Sequence, residues 1–175
     1  MIMLNYMIAT VALVLIDQIT KLIALVKLRP IGNITILKGF MDFTYVENRG
    51  AAFGMLQGKQ WLFIIITIVV AIGVIIAFKK MPVNKEYNLV RLACVLILGG
   101  AFGNLIDRIV RGYVVDFFEF TFISYPVFNV ADIYVVIGAI WLAWIMIFVI
   151  KDEAPKKLEL EAEESKDVEE IDNKA

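Results

Sequence analysis

The sequence predicts an α-helical integral membrane protein: four transmembrane helices, with a small β-sheet and loop elements on the outer membrane face. Three observations predict it. The 175 residues are 61% hydrophobic, with a mean hydropathy of +0.80, outside the range of a soluble domain. Four apolar segments reach the roughly 20 residues needed to cross a hydrocarbon core of about 30 Å. Two of the connections between them carry β-branched and aromatic residues in partial alternation, the pattern of short strands.

Span one covers residues 3–26 and is interrupted by Asp17 and Lys21. It lacks the basic start and the small-residue cleavage site of a secretory signal, so it is read as a retained span. The connection that follows holds "NITILKGFMDFTYVENRG", two candidate strands that Gly39 breaks apart. Spans two and three cover 61–78 and 88–106. The next connection, "YVVDFFEFTFISYP", alternates Phe118, Phe120 and Phe122 with Glu119 and Thr121. Span four covers 128–150. Together residues 1–150 read as one membrane domain. Residues 151–175 hold ten of the eighteen acidic side chains and read as a disordered, solvated cytoplasmic tail.

Orientation follows from Lys and Arg at the ends of short loops. Lys79, Lys80 and Lys85 lie between spans two and three, Arg91 near the start of span three is counted with them, and Lys151, Lys156 and Lys157 follow span four. That side is read as cytoplasmic, with both termini on it. Lys27, Arg29, Lys38, Arg49 and Lys59 on the opposite loop weaken the contrast.

Composition narrows the chemistry. The chain has no His and one Cys, Cys94, so it can build neither a Ser-His-Asp or Cys-His site nor a zinc site that needs His or several Cys. An intramolecular disulfide is equally impossible. Any chemistry falls to carboxylates, Lys, Arg, Tyr or Asn.

With this topology the polar side chains of the spans converge on one level. Asp17 and Lys21 lie in the outer half of span one. Asn104, Asp107 and Arg108 end span three, and Asn129 and Asp132 begin span four. Asn48, Arg49 and Asp116 sit in the outer connections. Ionisable groups in spans are costly and mark candidate functional sites. A cation-coupled transporter would instead need polar groups near the midplane and toward both faces.

Each group also has a structural reading. Asp17 and Lys21 are an i,i+4 pair that can neutralise itself. Asn129 and Asp132 have the spacing of an N-terminal capping box. Gly99, Gly100 and Gly103 permit close helix packing. Asp107 and Arg108, adjacent on a helix, do not face each other, and at the end of span three they can serve as an anchor. Arg108 is expected to pair with Asp107, Asp17 or Asn104. Asp116, flanked by Val114, Val115, Phe117 and Phe118, fits a structural reading least, and its apolar setting predicts a raised pKa. Asp132, at a helix start, is read as the ionised member of a pair. Two carboxylates in contrasting settings can serve as acid and base.

Five stretches then match a known family in order: "DQITK" (17–21), "NRGAAFG" (48–54), "GGAFGNLIDR" (99–108), "VVDF" (114–117) and "FNVAD" (128–132). On these the chain resembles the bacterial lipoprotein signal peptidases (signal peptidase II), aspartic intramembrane proteases, over about residues 5–150. The resemblance implies Asp116 and Asp132 as catalytic residues. It implies Asp17, Lys21, Asn48, Gly50, Asn104, Asp107, Arg108 and Asn129 as substrate-binding or supporting positions. It also implies a diacylglyceryl-modified prolipoprotein substrate, cut just before the lipidated Cys, in the bacterial plasma membrane. No metal or cofactor is expected, and the expected partners are substrate and membrane lipids, with no nucleic acid and a monomeric enzyme.

Overall fold

The computed structural model describes residues 2–50 and 58–150. The motif residues Ala51, Ala52, Phe53 and Gly54, and the acidic tail, lie outside the described residues. Helix α1 runs Ile2–Ile23 and continues as a π-helical turn, Ala24–Leu28. Strands β1 (Asn33–Leu37) and β2 (Met41–Asn48) follow, then helices α2 (Gln60–Lys80) and α3 (Lys85–Val110). Strand β3 (Val114–Phe120) and helix α4 (Val130–Phe148) complete the order. All four helices are long and apolar enough to cross a membrane, in agreement with the four segments read from the sequence.

The strands form one antiparallel sheet in the order β1-β2-β3. Gly39, at φ +75°, makes the turn between β1 and β2, a backbone region that side chains with a Cβ disfavour. Gly112, at φ +74°, turns the chain from α3 into β3. The backbone N–H groups of Phe117 and Phe118 donate to the carbonyl of Phe128 at 2.9 and 2.8 Å, and Phe128 returns one to Phe118 at 3.0 Å. The entry to α4 is therefore fastened to β3, which places Asn129 beside Asp116.

Helix α3 is the central element, with α1, α2 and α4 packed on it. Its glycines explain how closely. A Cβ at Gly99 would stand 2.8 Å from that of Leu13, and one at Gly100 would overlap the Ala131 carbonyl. A Cβ at Gly103 would meet the Asp17 carboxylate at 2.5 Å, and one at Gly138 on α4 would meet the Ala93 carbonyl at 2.9 Å. Small residues let helix backbones approach where no hydrophobic effect drives them together. Helix α2 contacts α3 alone to any extent, and its remaining faces expose Ile65, Val69, Ile72 and Ile76. Apolar on all sides, it suits a lipid surround.

At the ends of the helices away from the sheet, one sequence reading needs correction. Arg91, counted as a loop charge, is buried. Its guanidinium donates to Asn88 Oδ1 at 2.9 Å and to the carbonyls of Met81 and Pro82 at 2.8 and 2.9 Å. It closes the α2–α3 link and is not a free surface charge. Asn84 caps α3 by accepting the Tyr87 N–H at 2.9 Å, so this helix begins at Lys85, earlier than hydropathy suggested.

Close approach makes a direct prediction. Gly100→Ala pushes α4 away from α3 and is expected to destabilise the fold by about 1–3 kcal/mol, the usual cost of overpacking. Gly73→Ala, which meets nothing within 4 Å, should leave stability unchanged or slightly raised. Thermal unfolding of the two purified variants in detergent checks this, and equal melting temperatures would contradict the packing account.

Candidate active site

The site begins with a buried cation. Lys21 is fully buried, and its ammonium lies 2.8 Å from Asp17 Oδ2, 3.2 Å from Asp107 Oδ2 and 2.7 Å from Asn104 Oδ1. Lys offers three donors and accepts nothing, and all three point at oxygens on α1 and α3. Asp17 and Asp107 are fully buried too. Two carboxylates against one ammonium would leave a net charge, and Arg111 supplies the second cation by pairing with Asp107. Buried charges persist when they are paired and hydrogen-bonded.

Each carboxylate also fastens a second element. Asp17 Oδ1 accepts the backbone N–H of Ala131 at 2.9 Å, in the first turn of α4. Asp107 Oδ2 accepts the N–H of Val115 at 3.1 Å, in β3. Gln18 bridges α1 to α3, donating to the Gly103 carbonyl at 3.0 Å and to Asp107 Oδ1 at 3.3 Å. This cluster thus sets the positions of β3 and α4 relative to each other, and those two elements carry Asp116 and Asp132.

Donor and acceptor logic then orients the amides. Because Lys21 can only donate, the oxygen of Asn104 faces it. The Asn104 NH₂ is thereby turned to Asp132 Oδ1, 2.8 Å away. Because the Asp132 N–H can only donate, the oxygen of Asn129 faces it at 3.0 Å. The Asn129 NH₂ is turned to Asp116 Oδ1 at 2.6 Å and to Asn104 Oδ1 at 3.1 Å. Asn48 accepts the Gly50 N–H at 2.9 Å through its oxygen and donates to Asp116 Oδ2 at 2.9 Å. Asp132 Oδ2 accepts the Asn129 N–H at 3.1 Å, which completes the capping box expected from the sequence.

Asp116 and Asp132 therefore line one cavity of about 230 Å³, with Asn48, Asn104 and Arg108 among its walls. Tyr125, Pro126 and Val127 close its loop side. Asp116 is almost entirely buried in β3. Burial pushes its pKa up to about 7, and the nearby Asp132 charge adds to the rise against the amide donors Asn48 and Asn129. A carboxyl group held near neutrality beside a second carboxylate has the properties of an acid–base pair.

All ten residues singled out by the sequence fall in or directly behind this cavity, in two shells. Asn48, Gly50, Asn104, Arg108, Asp116 and Asp132 line it. Asn129 hydrogen-bonds both aspartates, and Asp17, Lys21 and Asp107 form the charged cluster behind. One expectation fails. Arg108 pairs with neither Asp107 nor Asp17. Its Nη1 makes one long contact, 3.4 Å, to the Asn104 backbone carbonyl, not to that side chain. Arg111 occupies Asp107 instead, one helical turn on. Gln18, Arg111 and Phe63 were missed. The i,i+4 spacing of Asp107 and Arg111 could have revealed the second. Phe63, whose ring lies 4.7 Å from the Arg108 guanidinium, left no signal in an apolar span.

Residues 9–148 match the family model described as signal peptidase (SPase) II. A lipoprotein signal peptidase of Caldanaerobacter subterraneus subsp. tengcongensis is 54% identical over 135 residues, 77% of this chain and 90% of the relative. One of Clostridioides difficile is 40% identical over 143 residues, 82% of this chain and 95% of the relative. A solved bacterial membrane enzyme, determined by the in meso method at 2.3 Å resolution, superposes with a TM-score of 0.73 at 36% identity. It covers 87% of this chain and 91% of its own.

The charged cluster yields a stability prediction. Lys21→Met leaves two buried carboxylates short of a cation and is expected to cost about 3–5 kcal/mol. Adding Asp17→Asn should restore part of that loss. Denaturant unfolding of the single and double variants checks it. Additive losses would show that the two groups are not coupled.

Proposed function

The chain belongs to the signal peptidase II family, and we propose that Asp116 and Asp132 are the catalytic pair with which it removes the signal peptide from prolipoproteins. The proposed substrate carries a diacylglyceryl group on its lipobox Cys, and the bond cut is the one before that Cys. The observation that carries the reading is the cavity of about 230 Å³ that Asp116 and Asp132 both line. Asn129 contacts both, and one of them is poised near neutral pH.

The geometry supports a water-mediated reaction. Ionised Asp132 takes a proton from a water as the water oxygen bonds to the scissile carbonyl carbon. Protonated Asp116 gives its proton to the carbonyl oxygen. On collapse the C–N bond breaks, the amine leaves with the proton from Asp132, and a hydroxyl proton of the diol returns to Asp116. The pair begins and ends with one shared proton, because two close carboxylates are not both cheaply ionised. The titration belongs to the pair.

Position supports the substrate. The cavity lies where α3, β3 and α4 meet at the sheet end of the bundle. We place that end at the outer surface of the plasma membrane and both termini in the cytoplasm, on the loop charges Lys79, Lys80 and Lys85. A lipidated Cys at the end of a membrane-inserted signal helix would present its bond at this depth, with water from outside. We propose that the enzyme acts as a monomer, with Asn48 and Gly50 flanking the substrate chain. No step here calls for a metal or cofactor. The transporter reading lacks support in the helices, whose functional polar groups collect at one end.

Two outcomes are expected. Purified protein in detergent should cut a diacylglyceryl-modified prolipoprotein before the Cys, and Asp116→Asn and Asp132→Asn should each lower kcat by at least about 10³-fold while remaining folded. A folded Asp132→Asn variant that still cuts would reduce Asp132 to a helix cap. The pH profile is the second. Asp116 must be protonated, so kcat/KM should fall as pH rises through about 7. The folded-state pKa is raised above the unfolded one, so Asp116 also lowers fold stability progressively from the ordinary carboxylate range up to about 7. Asp116→Asn should remove that slope in an unfolding titration, and an unchanged slope would contradict the assignment.

A further inference from the structure

Helix α3 carries two arginines and is capped by a third, Arg111, and the three are used differently. Arg91 is saturated by Asn88 and two carbonyls. Arg111 is held by Asp107 and by Gln18 Oε1 at 3.4 Å. Arg108, the one that lines the cavity beside Asp116 and Asp132, is left open. Among the described residues it has no carboxylate within ion-pair distance and its buried Nε has no hydrogen-bond partner. A buried unpaired donor is costly and calls for an explanation.

What holds the guanidinium is a ring. Phe63, in the first turns of α2, lies 4.7 Å from its central carbon, within the range of a cation–π contact. A planar cation on an aromatic face keeps its donors at the rim, free to bond sideways. Helix α2 reaches the cavity through this contact and otherwise packs on α3 or turns apolar side chains outward. A flexible arginine beside two carboxylates would swing onto one of them and cancel it. A stacked one is held away from both.

We propose that the open edge of Arg108 receives the carbonyl oxygen of the scissile peptide bond as it gains negative charge, and that Phe63 is the positioning residue that holds the guanidinium for this task. The inference rests on Asp116 and Asp132 being the reacting pair, since it locates the scissile carbonyl between them and Arg108. The carbonyl oxygen is nearly neutral in the ground state and gains partial negative charge in the transition state, as the water adds and before the Asp116 proton is fully transferred. The contact therefore strengthens mainly in the transition state and acts on kcat more than on KM.

The test is a kinetic cycle on folded variants with a diacylglyceryl-modified prolipoprotein. Phe63→Leu keeps an apolar side chain but loses the ring face. It should lower kcat about 3–10-fold with KM within about twofold, and Phe63→Trp should stay close to wild type. Arg108→Lys keeps the charge but loses the fork, and should lower kcat by about 10²-fold. In the Arg108→Lys background Phe63→Leu should have little further effect. An undiminished Phe63→Leu effect in that background, a loss confined to KM, or an Arg108→Lys enzyme near wild type each overturns the proposal. If Asp116→Asn or Asp132→Asn stays active while the cycle behaves as stated, the underlying assignment of the pair fails, and not the coupling of Phe63 to Arg108.

Discussion

The ammonium of Lys21 is the group on which the rest of the structure depends. A full charge buried between helices in a membrane protein is expensive, and it is retained only where every donor finds an oxygen. Here the oxygens belong to Asp17, Asp107 and Asn104. Satisfying Lys21 therefore brings α1 against α3. The second oxygens of the two aspartates then fix the first turn of α4 and the start of β3. Position is transmitted through hydrogen bonds whose direction admits no reversal.

That directionality also explains how two similar carboxylates come to differ. Asp116 sits on a strand between apolar neighbours and accepts only side-chain amides, from Asn48 and Asn129. Asp132 begins a helix, accepts a backbone N–H from Asn129, and shares Asn104 with the Lys21 cluster. Asp132 is one amide away from the buried cation, through Asn104, and Asp116 is two away, through Asn129 and Asn104. The pair is tuned without an imidazole, which this sequence does not contain. Three Asn side chains carry the tuning, each oriented by a neighbour that can only donate.

Much of this was legible in the sequence, for identifiable reasons. Spans declare themselves by length and hydropathy, and the N-x-x-D spacing announced the cap at Asn129 and Asp132. The isolation of Asp116 among Val and Phe marked it before any geometry was known. The i,i+4 rule found Asp17 with Lys21, but no local rule could add Asp107, 86 positions beyond Lys21 in the chain. For the same reason the partner of Arg108 was misjudged. Adjacency on α3 suggested Asp107, yet helical geometry gives that carboxylate to Arg111, four residues away. Phe63 was invisible because an aromatic in an apolar span looks like any other lipid-facing residue. Arg91 looked like a loop charge because burial at a helix end has no sequence signature.

The central claim is that Asp116 and Asp132 form one coupled acid–base pair held together by Asn129. Its most direct test is a titration of isotope-labelled aspartate carboxyl groups in the folded protein, by NMR or infrared spectroscopy, compared with the Asp132→Asn variant. The account predicts that Asp116 titrates near 7 and that its pKa falls when Asp132 loses its charge, since that charge contributes to the rise. An Asp116 that titrates in the ordinary carboxylate range near 4, or one indifferent to Asp132, would contradict it.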